Sequence, residues 1–397
     1  MKILITTECY FPVINGVVTS VMTLRKELIN MGHEVKILTL SGKKRSFEKD
    51  DVIYIGSLGL NKLYPGARIA FPFDNVYLRK VIGWKPDVIH SQSEFSTFQM
   101  AKLLSRKLEV PIVHTYHTIY EDYTHYFSPY KKWGKRVAQV FTKSILKHTS
   151  GVIAPTVKVQ SLLIKYGVSQ KIHVVPSGIN LGLFDKRIED KGKLKLKQKI
   201  GIPPNKKVLL FVGRLAKEKR LEEILYFVYK FNDENILLLI VGDGPNRAFL
   251  EKYVQKLGIS NQVIFVGMVP SKEVIYYYQV GDIFVSASTS ETQGLTYLEA
   301  LANGLPALCR QDMCLENVIM DGINGWQYNS YENFADKLSI LLFQDEEYRR
   351  LSYNARERVA LTYSSIAFAR KIEGIYQDTV ATFKRREIVE EVVQKVQ

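Results

Sequence analysis

Long apolar runs are missing from this sequence: no stretch approaches about 18 uninterrupted hydrophobic residues, which argues against an ordinary membrane-spanning helix. The opening MKILITTECYFP carries one lysine ahead of a short apolar run and reads as a first β-strand, neither a signal peptide nor a membrane span. Cysteine is scarce. Cys9, Cys309 and Cys314 are odd in number and lack disulfide or metal-ligand spacing, which fits a reducing cytoplasm. No GxGxxG follows a strand, which weakens a nicotinamide or flavin reading, and no DxD-like metal motif stands at a strand end. Acidic residues are thin in one half. Residues 1–184 hold 25 Lys and Arg against 12 Asp and Glu, a net +13 of the chain's +15, whereas the remainder holds 30 against 28. So one-sided a field calls for an anionic partner, either nucleic acid or an acidic lipid surface.

What is present is globular. Hydrophobic residues at 46% and charged residues at 24% exclude disorder as the default, and 397 residues suffice for two domains with separate cores. Short β-branched runs (KILITTE, EVKILTL, DVIYIG, DVIHSQ, PIVHTY, GVIAPT, IHVVPS) alternate with amphipathic stretches such as VTSVMTLRKELINMG. That rhythm predicts an α/β fold with parallel sheets covered by helices on both faces. It gives way after Phe184 to the charged DKRIEDKGKLKLKQKIGIPPNK, which reads as a linker, and restarts with KVLLFVGR, ILLLIVGDG, QVIFVGM, DIFVSAS and PALCRQ. The expected division is 1–184, 185–365 and a helical tail 366–397 that crosses back to the first domain, with ligand bound in a cleft outside the carboxyl ends of two sheets.

Three strand ends carry the chemistry. In INGVVTS, Gly16 opens a helix; either backbone amides approach a phosphate there or the glycine serves an ordinary tight turn. In FVGRLAKEKR, Arg214, Lys217, Lys219 and Arg220 crowd one strand-to-helix turn, as a pyrophosphate site needs and as a solvated basic helix start also would. In STSETQGLTYLEALANG, Glu291 lies in the loop and Glu299 about two turns into the helix. A carboxylate accepting two hydrogen bonds suits a vicinal diol, and the amides of Thr292, Gln293, Gly294 and Leu295 suit anionic or hydroxyl oxygens. His117, in HTYHTIYEDYTHY, ends a predicted strand and is either an ordinary polar loop histidine or a candidate for binding sugar hydroxyls, with Asp122 and His125 as weaker acceptor contacts.

The basic half has its own focus. From Tyr126 to His148 the chain carries Lys131, Lys132, Lys135, Arg136, Lys143 and Lys147 and no acid. At about 100° per residue, Trp133, Val137, Val140, Phe141 and Ile145 share one arc. This is the pattern of an interfacial basic helix, or of a domain helix with its apolar face in the core. The stretch KLYPGARIAFPFDNVYLRK, with Arg68, Arg79 and Lys80, is a second candidate contact.

Taken together, INGVVTS, HTIY, PSGIN, VGRLAKEK, VGDGP, GMVP and the two glutamates separated by seven residues resemble the family 4 retaining glycosyltransferases, in family order along the whole chain. The resemblance implies a GT-B fold, two Rossmann-like domains facing across a cleft, with the sugar nucleotide on the second. It implies that Glu299 holds the ribose hydroxyls and Glu291 a hydroxyl of the transferred sugar. Arg214 and Lys219 would clamp the diphosphate with Gly16 nearby, Gln293 to Leu295 would offer amides to sugar and phosphate, the backbone around Met268 and Val269 would meet the base, and His117 would be functional. The expected catalytic set is thus His117, Arg214, Lys219 and Glu291.

INGVVTS, HTIYEDYTHY, PSGIN and SETQGLTYLEA further resemble the bacterial diacylglycerol glucosyltransferases. Their implied reaction moves glucose from UDP-glucose to the 3-hydroxyl of 1,2-diacylglycerol, giving an α-glucolipid, at the cytoplasmic face of an anionic membrane. No metal is expected as a requirement, although Mg2+ or anionic lipid could stimulate. Tyr126, Lys131, Lys132, Trp133, Lys135, Arg136, Lys143 and Lys147 are the expected acceptor or membrane contacts. Two alternatives stay open: the same fold acting with another sugar (galactose, mannose) or acceptor (a phosphoinositide or polysaccharide precursor), and a nucleic-acid-binding protein, disfavoured because no reading module is recognisable.

Overall fold

A computed structural model describes residues 1–13, 15–60, 68–71, 76–121, 131–184, 188–270 and 272–396, without the side chains of residues 131, 190 and 386–396. The chain divides into two compact units, Met1–Gly178 with Ser365–Gln397, and Ile179–Ser364.

The first unit runs β1 (Lys2–Thr7), α1 (Gly16–Asn30), β2 (Glu34–Leu40), β3 (Phe47–Lys49), β4 (Val52–Ile55), β5 (Leu58–Gly59), β6 (Arg68–Ile69), α2 (Val76–Trp84), β7 (Val88–Ser91), α3 (Ser96–Leu108), β8 (Ile112–Thr115), α4 (Lys131–Leu146), β9 (Gly151–Ala154), α5 (Val157–Lys165) and β10 (Ile172–Val174). Its main sheet is ordered β10-β9-β8-β7-β1-β2-β4-β3 and is parallel except for the β3–β4 edge. β1, β7, β8 and β9 are almost wholly buried, as strands covered on both faces must be, which is why they read as continuous apolar runs rather than as alternation. Asn15 starts α1 by accepting from the Val18 amide at 2.9 Å, and Val18, Val21, Leu24 and Leu28 line its buried face.

The second unit runs α6 (Asp190–Lys199), β11 (Lys207–Val212), α7 (Leu221–Phe231), β12 (Ile236–Val241), α8 (Arg247–Leu257), β13 (Val263–Gly267), α9 (Val274–Val280), β14 (Ile283–Ser286), α10 (Leu295–Ala302), β15 (Ala307–Arg310), β16 (Gly325–Tyr328), α11 (Tyr331–Phe343) and α12 (Asp345–Thr362). Its sheet is parallel throughout, in the order β13-β12-β11-β14-β15-β16. β12, ILLLIV, is buried at every position.

Two features differ from the sequence reading. The expected linker contains α6, whose Leu196 and Ile200, four residues apart, pack on the second unit's core. Its charge disguised it, because lysine is a good helix former and only one narrow stripe is needed to dock. The boundary lies at 178/179 rather than at 184: the Ile179 amide donates to Tyr363 O at 2.9 Å, and Leu181 and Phe184 join the same core. The last helix, α13 (Ser365–Val396), packs in the first unit, where Phe368, Ala369, Ile372, Ile375 and Tyr376 share a core with α1 and β1.

Candidate active site

In the second unit β11 is the first strand laid down, and the chain returns to pair it on one side with β12 and on the other with β14. The loops leaving β11 and β14 therefore diverge, and a crevice opens between them at the carboxyl edge of the sheet. Lys219 comes from the first loop and Glu291 from the second, 72 positions apart, and Lys219 Nζ donates to Glu291 Oε1 at 2.5 Å. Both side chains are largely shielded. Arg214 pairs with Glu218 one turn on, a buried carboxylate that anchors the basic turn from beneath. Ser290 Oγ donates to Glu218 O at 3.4 Å and ties the two loops a second time. The ammonium of Lys219 has three donors and spends one on Glu291, so it can meet an anion without leaving its partner.

Gly294 ends the Glu291 loop with φ +74°, and a Cβ there would stand 2.5 Å from the ring of Tyr297. That ring cannot retreat: Tyr297 is fully buried, packs edge-on against Phe284 and hydrogen-bonds Ser286 Oγ at 2.7 Å. The glycine thus lets the chain turn directly over Tyr297 into α10 and brings the amides of Gln293 to Leu295 to the helix start. Two turns on, Glu299 accepts from the Tyr278 hydroxyl at 2.7 Å, and burial pushes its carboxyl up to about 7. One of its oxygens, Oε2, is thus held in place, as it would not be in a solvated helix glutamate. Gly242, at the end of β12, touches the Gly213 backbone so closely that a Cβ would overlap its carbonyl oxygen at 1.9 Å. Met268 is exposed after β13 while Val269 turns into the core, so at Val269 only the backbone faces outward.

The first unit repeats the arrangement around β1, with β2 on one side and β7 on the other. Glu8, just past β1, accepts from the amide and hydroxyl of Thr97 at the start of α3, at 2.7 and 3.0 Å, and burial lifts its carboxyl to about 7. Beside it Glu94 accepts from Tyr120 Oη at 2.5 Å and faces His114 Nε2 at 3.3 Å. His117, at the mouth of β8, meets Gln92 Oε1 at 2.6 Å; burial, reinforced by nearby His114, drives its imidazole down to about 3, so it is neutral. Gly16 is the first residue of α1 in this unit.

Residues 14–183 match Glycosyltransferase Family 4, and residues 192–358 match Glycosyl transferases group 1. The chain is 36% identical to the α-monoglucosyldiacylglycerol synthase of Acholeplasma laidlawii over 96% of its own length and 98% of the relative's. It is 34% identical to the synthase of the same name from Streptococcus pneumoniae, over 96% and 86%. The chain belongs to glycosyltransferase family 4. Its fold is GT-B, as in Anabaena HepE in complex with UDP-glucose, which superposes with a TM-score of 0.74 at 17% identity over 95% of this chain and all of that one.

For this glycosyltransferase, the structure brings Lys219, Glu291 and the Thr292–Leu295 turn together around one switch point, with Arg214 and Glu299 on the same edge. Lys132, Lys135, Arg136 and Lys143 are exposed on α4 and Lys147 just after it, with Lys135 paired with Glu121 at 2.7 Å. Asp122, His125 and Tyr126 lie outside the described residues, as does the side chain of Lys131 and most of Lys62–Lys80. The apolar arc expected on α4 is split. Ile145 is buried and Phe141 half-buried against Phe95 and Tyr120, whereas Trp133 and Val140 are 62% and 63% exposed, with Val137 between them. The buried stripe of the helix is instead a row of small residues, Gly134, Ala138 and Thr142, with Thr142 Oγ1 3.1 Å from the Tyr116 hydroxyl, which leaves Trp133 outward. No described helix is long and apolar enough to cross a membrane.

Sequence reasoning missed Glu8, Gln92, Glu94 and Tyr278. DVIHSQ read only as a strand, and nothing in its spacing marks Gln92. Gly294→Ala should cost about 1–3 kcal/mol of stability, since a non-glycine residue at positive φ meets an immovable ring. Thermal unfolding checks it; an unchanged midpoint would mean that Tyr297 can shift.

Proposed function

We propose that this chain transfers glucose from UDP-glucose to the 3-hydroxyl of a 1,2-diacylglycerol with retention of the α-configuration, working at an anionic membrane surface. The observation that carries the reading is the Lys219–Glu291 pair at the switch point of the second unit. In this reading Glu299 binds the ribose diol, Glu291 a hydroxyl of the glucose, and Lys219 and Arg214 the diphosphate; the amides of Gln293 to Leu295 add donors, and the backbone at Met268 and Val269 faces the base. As the anomeric bond breaks, charge accumulates on the β-phosphate. Cations and helix-start amides already aimed there stabilise that charge without reorganising. The two named synthases support the lipid acceptor and the Anabaena complex supports the donor. His117 and the first unit serve the acceptor.

For the membrane surface, the support is α4. Trp133, Val137 and Val140 recur at helical spacing on an exposed face flanked by Lys132, Arg136, Lys143 and Lys147. An aromatic–aliphatic stripe with cations beside it suits the headgroup layer. At about 1 kcal/mol per cation, replacing these four with glutamate should weaken binding to acidic vesicles by more than about 100-fold, with UDP affinity intact. Vesicle sedimentation measures it, and unchanged sedimentation would remove α4 from the interface.

The reaction is tested by offering labelled UDP-glucose and UDP-galactose to the protein with diacylglycerol in neutral or acidic vesicles, separating the lipids, and reading the anomeric configuration by NMR. An α-glucolipid from UDP-glucose alone, formed faster on acidic vesicles, is expected. UDP binding without any lipid product would overturn the acceptor.

A further inference from the structure

A buried chain of side chains runs from the C-terminal helix to His117. Tyr376 Oη, on α13, is 2.6 Å from His90 Nδ1. Gln92 Nε2 is 3.0 Å from His90 Nε2, and Thr115 Oγ1 is 2.7 Å from the same nitrogen. Gln92 Oε1 is 2.6 Å from His117 Nε2. An amide NH2 can only donate and an amide oxygen only accept, so the directions follow. His90 Nε2 accepts from Gln92 and carries no proton; His90 is fully buried and neutral, so its single N–H is on Nδ1 and donates to Tyr376. With its NH2 committed to His90, Gln92 turns its oxygen to His117, whose Nε2–H donates to it.

We propose that Gln92 is a positioning residue: held by His90 and Tyr376, it fixes His117 as the Nε2–H tautomer and leaves the Nδ1 lone pair to accept from a substrate hydroxyl. The scaffold supports this. The Gln92 amide donates to Thr6 O at 2.8 Å, extending the pairing of β7 with β1 by one residue, so its backbone is fixed by the central strand. The residue is 3% exposed, and both ends of its amide are engaged by the two histidines. A free neutral imidazole divides between two tautomers, and only one presents a lone pair at Nδ1. The C-terminal helix thereby contributes to the chemistry of the first unit through Tyr376. The consequence for turnover rests on the proposed role of His117; the tautomer does not.

The test is long-range proton–nitrogen NMR on the full-length protein labelled in its seven histidines, with His117 assigned by its loss in His117→Asn. Wild type should give a neutral Nε2–H tautomer at His117, unchanged between about pH 6 and about pH 8. Gln92→Leu, close in shape, should release both tautomers and lower kcat by about 10- to 100-fold with UDP-glucose KM unchanged. Gln92→Glu keeps an acceptor for Nε2–H, so the tautomer should persist while the new carboxylate raises the His117 pKa. Activity should then fall on the acid side, as protonation consumes the Nδ1 lone pair. An Nδ1–H tautomer in wild type, or a single tautomer surviving in Gln92→Leu, overturns the proposal. If no lipid is glucosylated, the NMR arm still decides it.

Discussion

Lys219→Ala is expected to lower kcat for transfer from a UDP-sugar by about 100- to 1,000-fold, the range for removing one preorganised charge partner of a developing oxyanion. Two features put the effect at the high end. The ammonium is largely shielded from solvent, where its field is weakly screened, and it is held by Glu291 at 2.5 Å, so little reorganisation accompanies the reaction. Its loss also leaves the Glu291 carboxylate unneutralised in the same crevice, repelling the diphosphate. Glu291→Gln should impair turnover by losing the sugar contact and the hold on Lys219, but it removes that carboxylate and with it this repulsion. The double variant Lys219→Ala, Glu291→Gln should therefore fall well short of the sum of the single effects, as for residues that act as a unit. Steady-state kinetics with labelled donor measures all three; a kcat for Lys219→Ala within about threefold of wild type, smaller than any such electrostatic role allows, would remove the lysine from the reaction.

The second large effect is on binding. Glu299→Ala should raise the UDP dissociation constant by about 10- to 100-fold, because a hydrogen bond to a charged group contributes about 1.5–3 kcal/mol. Its pH dependence is more diagnostic than its size. Burial raises the Glu299 carboxyl from the ordinary value of 4.5 to about 7. A diol donates best to the ionised form, so UDP affinity should rise with pH through about 7. The nucleotide's own phosphate titrates nearby, but it does so equally with Glu299→Gln, where the protein's share of the slope should vanish. Calorimetric titration of both across this range isolates the carboxylate; identical slopes would assign the ribose elsewhere.

Stability should move the opposite way. A carboxyl whose folded value lies above its unfolded one keeps its proton in the folded protein while the unfolded chain has lost it. The contribution of Glu299 is therefore complete below about 4.5 and is lost as pH rises through about 7, and Glu8 adds a second such slope in the first unit. Thermal unfolding midpoints should fall over that window, less steeply in Glu299→Gln.

Much of this protein was legible in its residues. The alternation of KILITT, EVKILTL and VIHS with amphipathic stretches is dictated by strands buried on both faces, and the bias of 25 cations over 12 anions in residues 1–184 needs no coordinates. The strand-end motifs announced themselves because a glycine at φ +74°, such as Gly294, and a basic turn after an apolar strand are local requirements. Charged α6 was lost to the same local logic, since a helix docked through Leu196 and Ile200 alone looks like solvated chain until its partner surface exists. Pairings between distant residues were out of reach altogether. Lys219 and Glu291 meet only because strand order folds the β11 and β14 loops about one crevice. Gln92 reaches His117 only because β7 and β8 lie side by side, and Tyr376 reaches His90 across 286 positions because α13 packs in the first unit. Sequence determined which residue types stand at each strand end. Tertiary structure decided which of them share a hydrogen bond, because such a bond depends on position within a few tenths of an ångström, set by the packing of whole sheets rather than by neighbours along the chain.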